Sequence, residues 1–546
     1  MRKNNLAILL LLFISLIISI PLILPYFHPG FFPTQDGEWA VVRLGDMYRE
    51  LKDLQFPPRY SGNLNFGYGY PLFEFAYPLP YYLGFFIHLL HINFVDSIKI
   101  LFALSVPLSF LFMYLLSNKL WGNKWIAFTS AILYIYYPYR IVDLYVRGSI
   151  GESFAFILFP LIFYFILNLH RNKHFFSAIF ASIFIAALVM SHNIMAVEFL
   201  PIIIVTVFIS VWSEKKERKK LILNYLLMLI LSFGLSAFFW LPALSEKNLI
   251  ALSITPIADM SLYFVKPFDL LFSSWGFGTN NFSHQLGFAQ LIIVFLLLFS
   301  LFFKKNATKS EFSNFLFWGL GFIFIIYLFL LFSPSLILWK SLPLFNQVTY
   351  PWTLLAVMGF LISLFAGRIF ILFPNKVLII ILGVVAVLSV VFYAHPSIYV
   401  NRGDGFYLTN DATTTSSDEY TPIWVKQKPL LRPAQKFVDA SANLSQEISN
   451  SKKFSVVVDS SKESLLQINT IYYPGWKTFV DNQSVAISDD NPQGLIEISV
   501  SSGHHIVNGT FTETPLRLFA DIVSVISFIS CFVFLALPLI NKRKQK

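Results

Sequence analysis

The chain is poor in charge. Asp, Glu, Lys and Arg make up 13% of its 546 residues, whereas 56% are hydrophobic. A soluble domain carries roughly twice that charged share, so a water-soluble enzyme of this size is excluded. Cysteine is nearly absent. The one Cys531 lies in an apolar run, which leaves no disulfide framework and no cysteine-based metal centre. G-x-x-x-x-G-K-[ST], G-x-G-x-x-G and H-E-x-x-H are all missing, so ATP-driven and dinucleotide-binding readings have no footing. No internal repeat is visible. The net charge is +10, but Lys and Arg sit in short loops between apolar runs and not in a basic patch among aromatics. Nucleic acid is therefore not an expected partner.

What is abundant is apolar and aromatic, including 61 Phe. Residues 1–5 are basic and 6–26 apolar. A secretory signal peptide competes for this stretch, but the run is long for one and no A-x-A-like site follows. It reads as an uncleaved first helix with a cytoplasmic N-terminus. Further runs fall near 96–117, 125–139, 151–169, 175–191, 194–212, 221–241, 287–303, 313–333, 350–367, 377–394 and 517–540. The expectation is a multi-pass cell-membrane protein of twelve transmembrane helices. With both termini cytoplasmic, the inner connections read SNKLWGN, HRNKH, SEKKERKK, KKNATKSEF, RIFILFPNK and the tail NKRKQK. Each carries Lys or Arg, as inner loops should. A span at 77–90 would send SEKKERKK outwards, so that segment is expected to lie in the interface.

The outer side then receives the long loops 28–95, 140–150, 242–286, 334–349 and 395–516. Residues 1–400 are expected to form the transmembrane domain, 401–433 an irregular linker, and 515–546 the final helix and basic cytoplasmic tail. Between them, 434–514 holds short β-rich runs at 454–458, 465–473, 477–480, 495–500 and 504–511. Pro474-Gly475, Asp481-Asn482 and Ser502-Gly503 punctuate them. A small β-sandwich outside the cytoplasm follows.

Candidate chemistry clusters at the outer boundary. Asp36 is the first carboxylate after helix 1, where desolvation raises a carboxyl's pKa and makes it a better base. Glu38 is two residues on. The competing role for Asp36 is a helix N-cap. Asp46, Glu50 and Asp53 recur at i, i+4, i+7, an acidic face on which Glu50 and Asp53 are best read as solvated. GNLNFGYGYPLFEF, with Tyr70, is either a tight turn or an aromatic substrate platform. In PYRIVDLYVRGSIGES, Arg140, Asp143 and Arg147 fall on one helical face. Two arginines there can grip a phosphate or merely snorkel, with Arg147 paired to Asp143. Glu152 begins the next helix. Ser191-His192-Asn193 lies at another outer junction, with Glu198 beyond it, and Gln347, Tyr350 and Trp352 end an outer loop. Such polar groups at membrane depth are costly unless used.

Taken together, TQDGEW, FGYGYPLFEFAYPLPYY, LYVRGSIGES, MSHN, FNQVTYPW, DEYTPIWV, YYPGWKTFVDN and TPLRLFADIVSVIS resemble the membrane proteins labelled 6-pyruvoyl-tetrahydropterin synthase-related, close to the YfhO-like membrane proteins. One departure is Thr353, where that family commonly has Arg. The label implies no pterin chemistry here, because a pterin synthase needs a soluble fold with a His-ligated zinc. The wider resemblance is to the C-type glycosyltransferase superfamily. It implies a polyprenyl-phosphate sugar donor and an acidic base near helix 1. The expectation is thus a membrane glycosyltransferase of the cell envelope, acting on a glycan, lipid or protein outside the cytoplasm. Asp36 would be the base and Glu38 its assistant or a metal ligand. Arg140, Arg147 and His192 would hold the lipid phosphate, with Asn193, Tyr70 and Gln347 lining the substrate site. A divalent cation is a candidate cofactor. The rivals are a polysaccharide or lipid transporter, which needs broken or charged helices at the bilayer midplane, and a non-catalytic envelope scaffold of the same fold.

Overall fold

The computed structural model describes residues 2–278, 282–300, 311–341 and 348–544. Helices dominate. In chain order they are α1 (Arg2–Ile23), α2 (Gly37–Lys52), α3 (Leu72–Phe75), α4 (Leu79–His88), α5 (Phe94–Trp121), α6 (Lys124–Ile135), α7 (Pro138–Val142), α8 (Ile150–Asn172), α9 (Phe175–Ser191) and α10 (Asn193–Ser213). They continue with α11 (Arg218–Leu235), α12 (Ala237–Ser245), α13 (Phe288–Ser300), α14 (Glu311–Leu330), α15 (Leu336–Ser341), α16 (Leu354–Leu372), α17 (Lys376–Val390), α18 (Asp404–Leu408) and α19 (Pro515–Lys544). Their ends follow from local chemistry. Asn93, Asn123 and Asn375 cap α5, α6 and α17 by accepting backbone N–H bonds, and Gly122 closes α5 in the left-handed conformation.

Among the described residues, eight helices are long and apolar enough to cross a membrane, or up to nine if the 69° bend between α11 and α12 lies within one span. Each of the twelve expected runs coincides with a helix, but α6, α9 and α13 are shorter than a span, so length alone does not reach twelve. α6 stops at Ile135 because Pro138 follows, and after α7 residues 143–147 widen into a π-turn. The 77–90 segment holds a ten-residue helix, α4, shorter than a membrane span. α8 and α16 form the centre of the bundle, whereas α1, α17 and α19 face outwards.

The two ends of the bundle differ. At one, Lys173 pairs with Glu214 and Glu217, Lys119 and Arg171 bind the same corner, His170 stacks on Phe312, and Arg368 reaches Asn314. All are in or beside the basic loops. At the other end gather the first long loop, the 143–152 turn, His192, Trp352 and the 411–421 segment.

The β-unit is two antiparallel sheets. One has the order β1 (Phe437–Val438), β4 (Ser464–Ile471), β7 (Leu495–Val500). The other runs β2 (Ala442–Ser449), β3 (Lys453–Ser460), β8 (Gly503–Phe511), β5 (Trp476–Val480), β6 (Gln483–Val485). The inner faces bury Phe454, Val456, Val458, Leu466, Ile468, Trp476, Ile496 and Val507. Asp481 and Asn482, both at positive φ, form the two-residue turn between β5 and β6. The core is completed by Tyr60, Phe75 and Ile250 from the membrane domain's loops, so the unit is docked as well as tethered.

Candidate active site

α2 begins at Gly37, and the residue before it, Asp36, makes no side-chain cap bond. Thr34 Oγ1 accepts from Gly37 N–H at 2.9 Å instead, which leaves the Asp36 carboxylate free of the capping role. Its backbone N–H donates to Arg147 O at 2.7 Å, and Gln35 N–H donates to Val146 O at 3.0 Å. The first loop is thereby pinned to the 143–148 turn. Gly148 makes this approach possible. It sits at φ +63°, and a Cβ there would stand 2.2 Å from Thr34 Oγ1. Gly151 does the same on the other side, where a Cβ would stand 2.3 Å from Ser191 O and 3.0 Å from His192 Cδ2.

The side chains converge accordingly. Arg147 Nη2 lies 3.6 Å from Asp36 Oδ2. Arg147 also donates to Glu152 Oε1 from Nε at 3.1 Å and from Nη2 at 2.8 Å, and its guanidinium lies 4.4 Å over the Trp352 ring. Tyr139 donates to Glu152 Oε2 at 2.7 Å. His192 Nε2 stands 3.9 Å from Glu152 Oε1. His192 Nδ1 accepts from Met195 N–H at 3.3 Å, so the neutral ring carries its proton on Nε2, toward the pair. Burial pushes His192 down to about 4, which keeps it neutral at physiological pH. Tyr77 stacks on His192 and Tyr350 on Trp352. Asp36 keeps 37% of its side-chain surface exposed while Glu152 has none. The surrounding protein pushes Asp36 up from the usual carboxylate range, opposed by Arg147 and Arg43.

Asp36, Arg147 and His192 thus belong to one side-chain cluster, Asp36 through Arg147 and His192 through Glu152. The other expected site residues do not. Glu38 pairs with Arg402 at 3.4 Å, so it turns away from Asp36 and the two carboxylates form no ligand pair. Arg140 is fully buried, bound to Asp143 at 2.8 Å and to Ser153 at 3.1 Å. It cannot grip a phosphate from there. Nor does Asp143 pair with Arg147 as the snorkelling alternative had it. Asn193 is exposed, with its side chain folded onto its own helix start. Tyr70 is buried, and its hydroxyl accepts from Thr414 N–H at 3.1 Å. Gln347 lies outside the described residues. Among the described residues no three His, Cys, Asp or Glu side chains converge as metal ligands. The described residues do not fit a dedicated cation site.

Sequence reasoning missed Arg43 and the 411–421 segment. Arg43 donates from Nε to Thr414 Oγ1 at 3.0 Å, from Nη2 to Thr414 O, and from Nη1 to Tyr81 at 3.4 Å. The segment is therefore packed against α2 and the first long loop through Thr414. Buried Glu419, on the same segment, acts electrostatically on Asp36. Only the mixed Thr, Ser and acidic composition of TTTSSDEY hinted at this. Glu152, noted only as a helix start, is the hub of the cluster.

Three comparisons bear on kinship. Residues 73–397 match the family described as 6-pyruvoyl-tetrahydropterin synthase related domain, membrane protein. The match includes Arg147, Glu152, His192 and Trp352 and leaves out Asp36 and the β-unit. An uncharacterized protein of Lactococcus lactis subsp. cremoris (strain MG1363) is 26% identical over 329 residues, 55% of this chain and 50% of the relative. The chain thus spans about half the length of that curated relative. Among solved structures, the arabinofuranosyltransferase AftD from Mycobacteria is 13% identical with a TM-score of 0.46, over 71% of this chain and 26% of that one. The Archaeoglobus fulgidus oligosaccharyltransferase AglB, in complex with an inhibitory peptide and a dolichol-phosphate, is 14% identical with a TM-score of 0.47, over 77% and 61%. Likenesses this distant carry no functional conclusion. The family match, which covers more than half of the sequence, does establish kinship: this chain belongs to the 6-pyruvoyl-tetrahydropterin synthase related family of membrane proteins.

Proposed function

We propose that the protein is a membrane glycosyltransferase of the C-type class, moving a sugar from a polyprenyl-phosphate donor to a glycan, lipid or protein on the outer side of the cytoplasmic membrane. One observation carries the reading. A half-exposed, unbonded carboxylate, Asp36, sits 3.6 Å from the guanidinium of Arg147, with the Nε2–H of His192 beside the same cluster. A base stands next to two donors suited to a phosphate oxygen. Arg147 Nη1 has no acceptor among the described residues, so it is open to a ligand.

In this reading Asp36 takes the proton of the acceptor's hydroxyl or amide. The acceptor atom bonds the anomeric carbon while the carbon–oxygen bond to phosphate breaks, and the configuration inverts. The polyprenyl phosphate leaves with its new charge facing Arg147 and His192. Tyr350 and Tyr77, both partly exposed beside the cluster, are the aromatic side chains a sugar ring would meet.

The reading requires the cluster to face outwards and both termini to face the cytoplasm, as the basic loops imply. With the native Cys531 replaced by Ser, an impermeant maleimide applied to intact cells should label S416C and leave S213C untouched. Labelling at position 213 would invert the topology and exclude the proposed site. Purified protein in liposomes, given a panel of polyprenyl-phosphate sugars with candidate acceptors, should consume at least one donor and release polyprenyl phosphate. Full retention of every donor would contradict the reading.

A further inference from the structure

Arg147 has two carboxylates within reach and treats them unequally. Glu152 takes Nε at 3.1 Å and Nη2 at 2.8 Å, whereas Asp36 stands 3.6 Å from Nη2. An unopposed arginine beside a carboxylate closes to a bidentate pair, with two parallel N–H···O bonds at about 2.8 Å. Asp36 is denied this. The reason lies in Glu152, which is wholly buried at the start of α8 and anchored on its far oxygen by Tyr139 at 2.7 Å. The stack on Trp352 fixes the guanidinium plane from the other side.

We propose that Glu152 is a positioning residue that holds Arg147 back from Asp36, so that the carboxylate stays free. The inference deepens the reading above, since it rests on Asp36 being the working carboxylate. It assigns Glu152 no contact with substrate. A carboxylate fully paired to arginine is a weak base, typically one to three pKa units lower than a free one. Glu152 therefore trades an ion pair that Asp36 would otherwise win for basicity where the acceptor's proton must go. The groups facing Asp36 are Arg43 from α2, Arg147 from the turn, Glu152 from α8, Glu419 from the 411–421 segment, and the hydroxyls of Tyr77 and Tyr350.

The test needs no donor. Dicyclohexylcarbodiimide adds to protonated carboxyl groups, and tandem mass spectrometry can read the adduct at Asp36 across a pH series on the full-length protein. Asp36→Asn marks the background. In the parent protein Asp36 should label with a midpoint above the ordinary carboxylate range. In Glu152→Gln, Arg147 closes onto Asp36, and the midpoint should fall by about one unit or more, a roughly tenfold loss of labelling on the titrating limb. Removing a like charge would also lower the midpoint, so Glu152→Asp is the deciding variant. It keeps the charge but draws the carboxylate back by one methylene from Arg147. It should lower the midpoint too, and its milder change preserves the fold if Glu152→Gln does not express. A wild-type midpoint in Glu152→Asp overturns the proposal, as does an Asp36 that never labels in the parent protein. A purely structural role lowers melting temperature and leaves the midpoint in place. A shifted midpoint in a protein that transfers no sugar would sink the glycosyltransferase reading alone.

Discussion

Arg517→Met is expected to cost about 3–5 kcal/mol of stability, the usual result of removing one partner from a buried ion pair. Arg517 lies in the first turn of α19 with no exposed surface. Its Nε stands 3.3 Å from Glu74 Oε1 and 3.0 Å from Glu246 Oε1, and its Nη2 stands 2.5 Å from Glu246 Oε2. Its Nη1 donates to Pro474 O of the β-unit at 2.9 Å. A single guanidinium thus ties α3, the end of α12, the β-unit and the last helix together. Beside it Arg59 binds Glu74, Glu513 and Asp521. The loss should exceed that of an apolar truncation, because Glu246 remains buried without its bidentate partner and Glu74 is left with Arg59 alone. Adding Glu74→Gln and Glu246→Gln to Arg517→Met should recover part of the stability, since neutral amides are cheaper to bury than bare carboxylates. Thermal melts followed by size-exclusion in detergent would show this. A wild-type melt for Arg517→Met would mean that the network does not hold the β-unit on the bundle.

The bundle itself was legible because lipid demands long apolar runs. The strands at 453–460, 464–471 and 495–500 were legible because each alternates or fills a buried face. β2 was not, since it is an edge strand exposed along most of its length, and β6 has only three residues. The acidic face of α2 misled for another reason. Periodicity places Asp46, Glu50 and Asp53 together but cannot say what covers them. The structure buries Asp46 and Glu50, with Glu50 accepting from Gln55 and Gly62 and Asp53 from Ser451 of the β-unit. Burial pushes both buried carboxyls up, reinforced by Asp53 at Asp46 and by Asp46 and Asp53 at Glu50. That covering surface is some 400 residues away in sequence for Ser451.

Arg140 and Arg147 show the same limit within eight residues. Helical spacing sets them on one face, but the backbone passes from α7 into a π-turn before Gly148. The two side chains diverge, one into the packed bundle and the other toward Asp36 and Glu152. Asp36, Arg147 and His192 come from three separate segments, and their convergence depends on two glycines whose missing Cβ atoms let those segments touch. Sequence alone marks such positions as polar and near the membrane, without saying which of them meet.

The central claim is that Asp36 is the base, and the Asp36→Asn variant tests it most directly. The substitution keeps size and hydrogen-bonding shape and removes only the ability to take a proton. It should fold normally, because Thr34 rather than Asp36 caps the helix, and stability should stay within about 1 kcal/mol of the parent. Glu38 is held by Arg402, so it does not substitute. On a polyprenyl-phosphate sugar that the parent protein uses, single-turnover release of polyprenyl phosphate should slow by roughly 100-fold or more, with Glu38→Gln much closer to the parent. Parental turnover by Asp36→Asn would contradict the account.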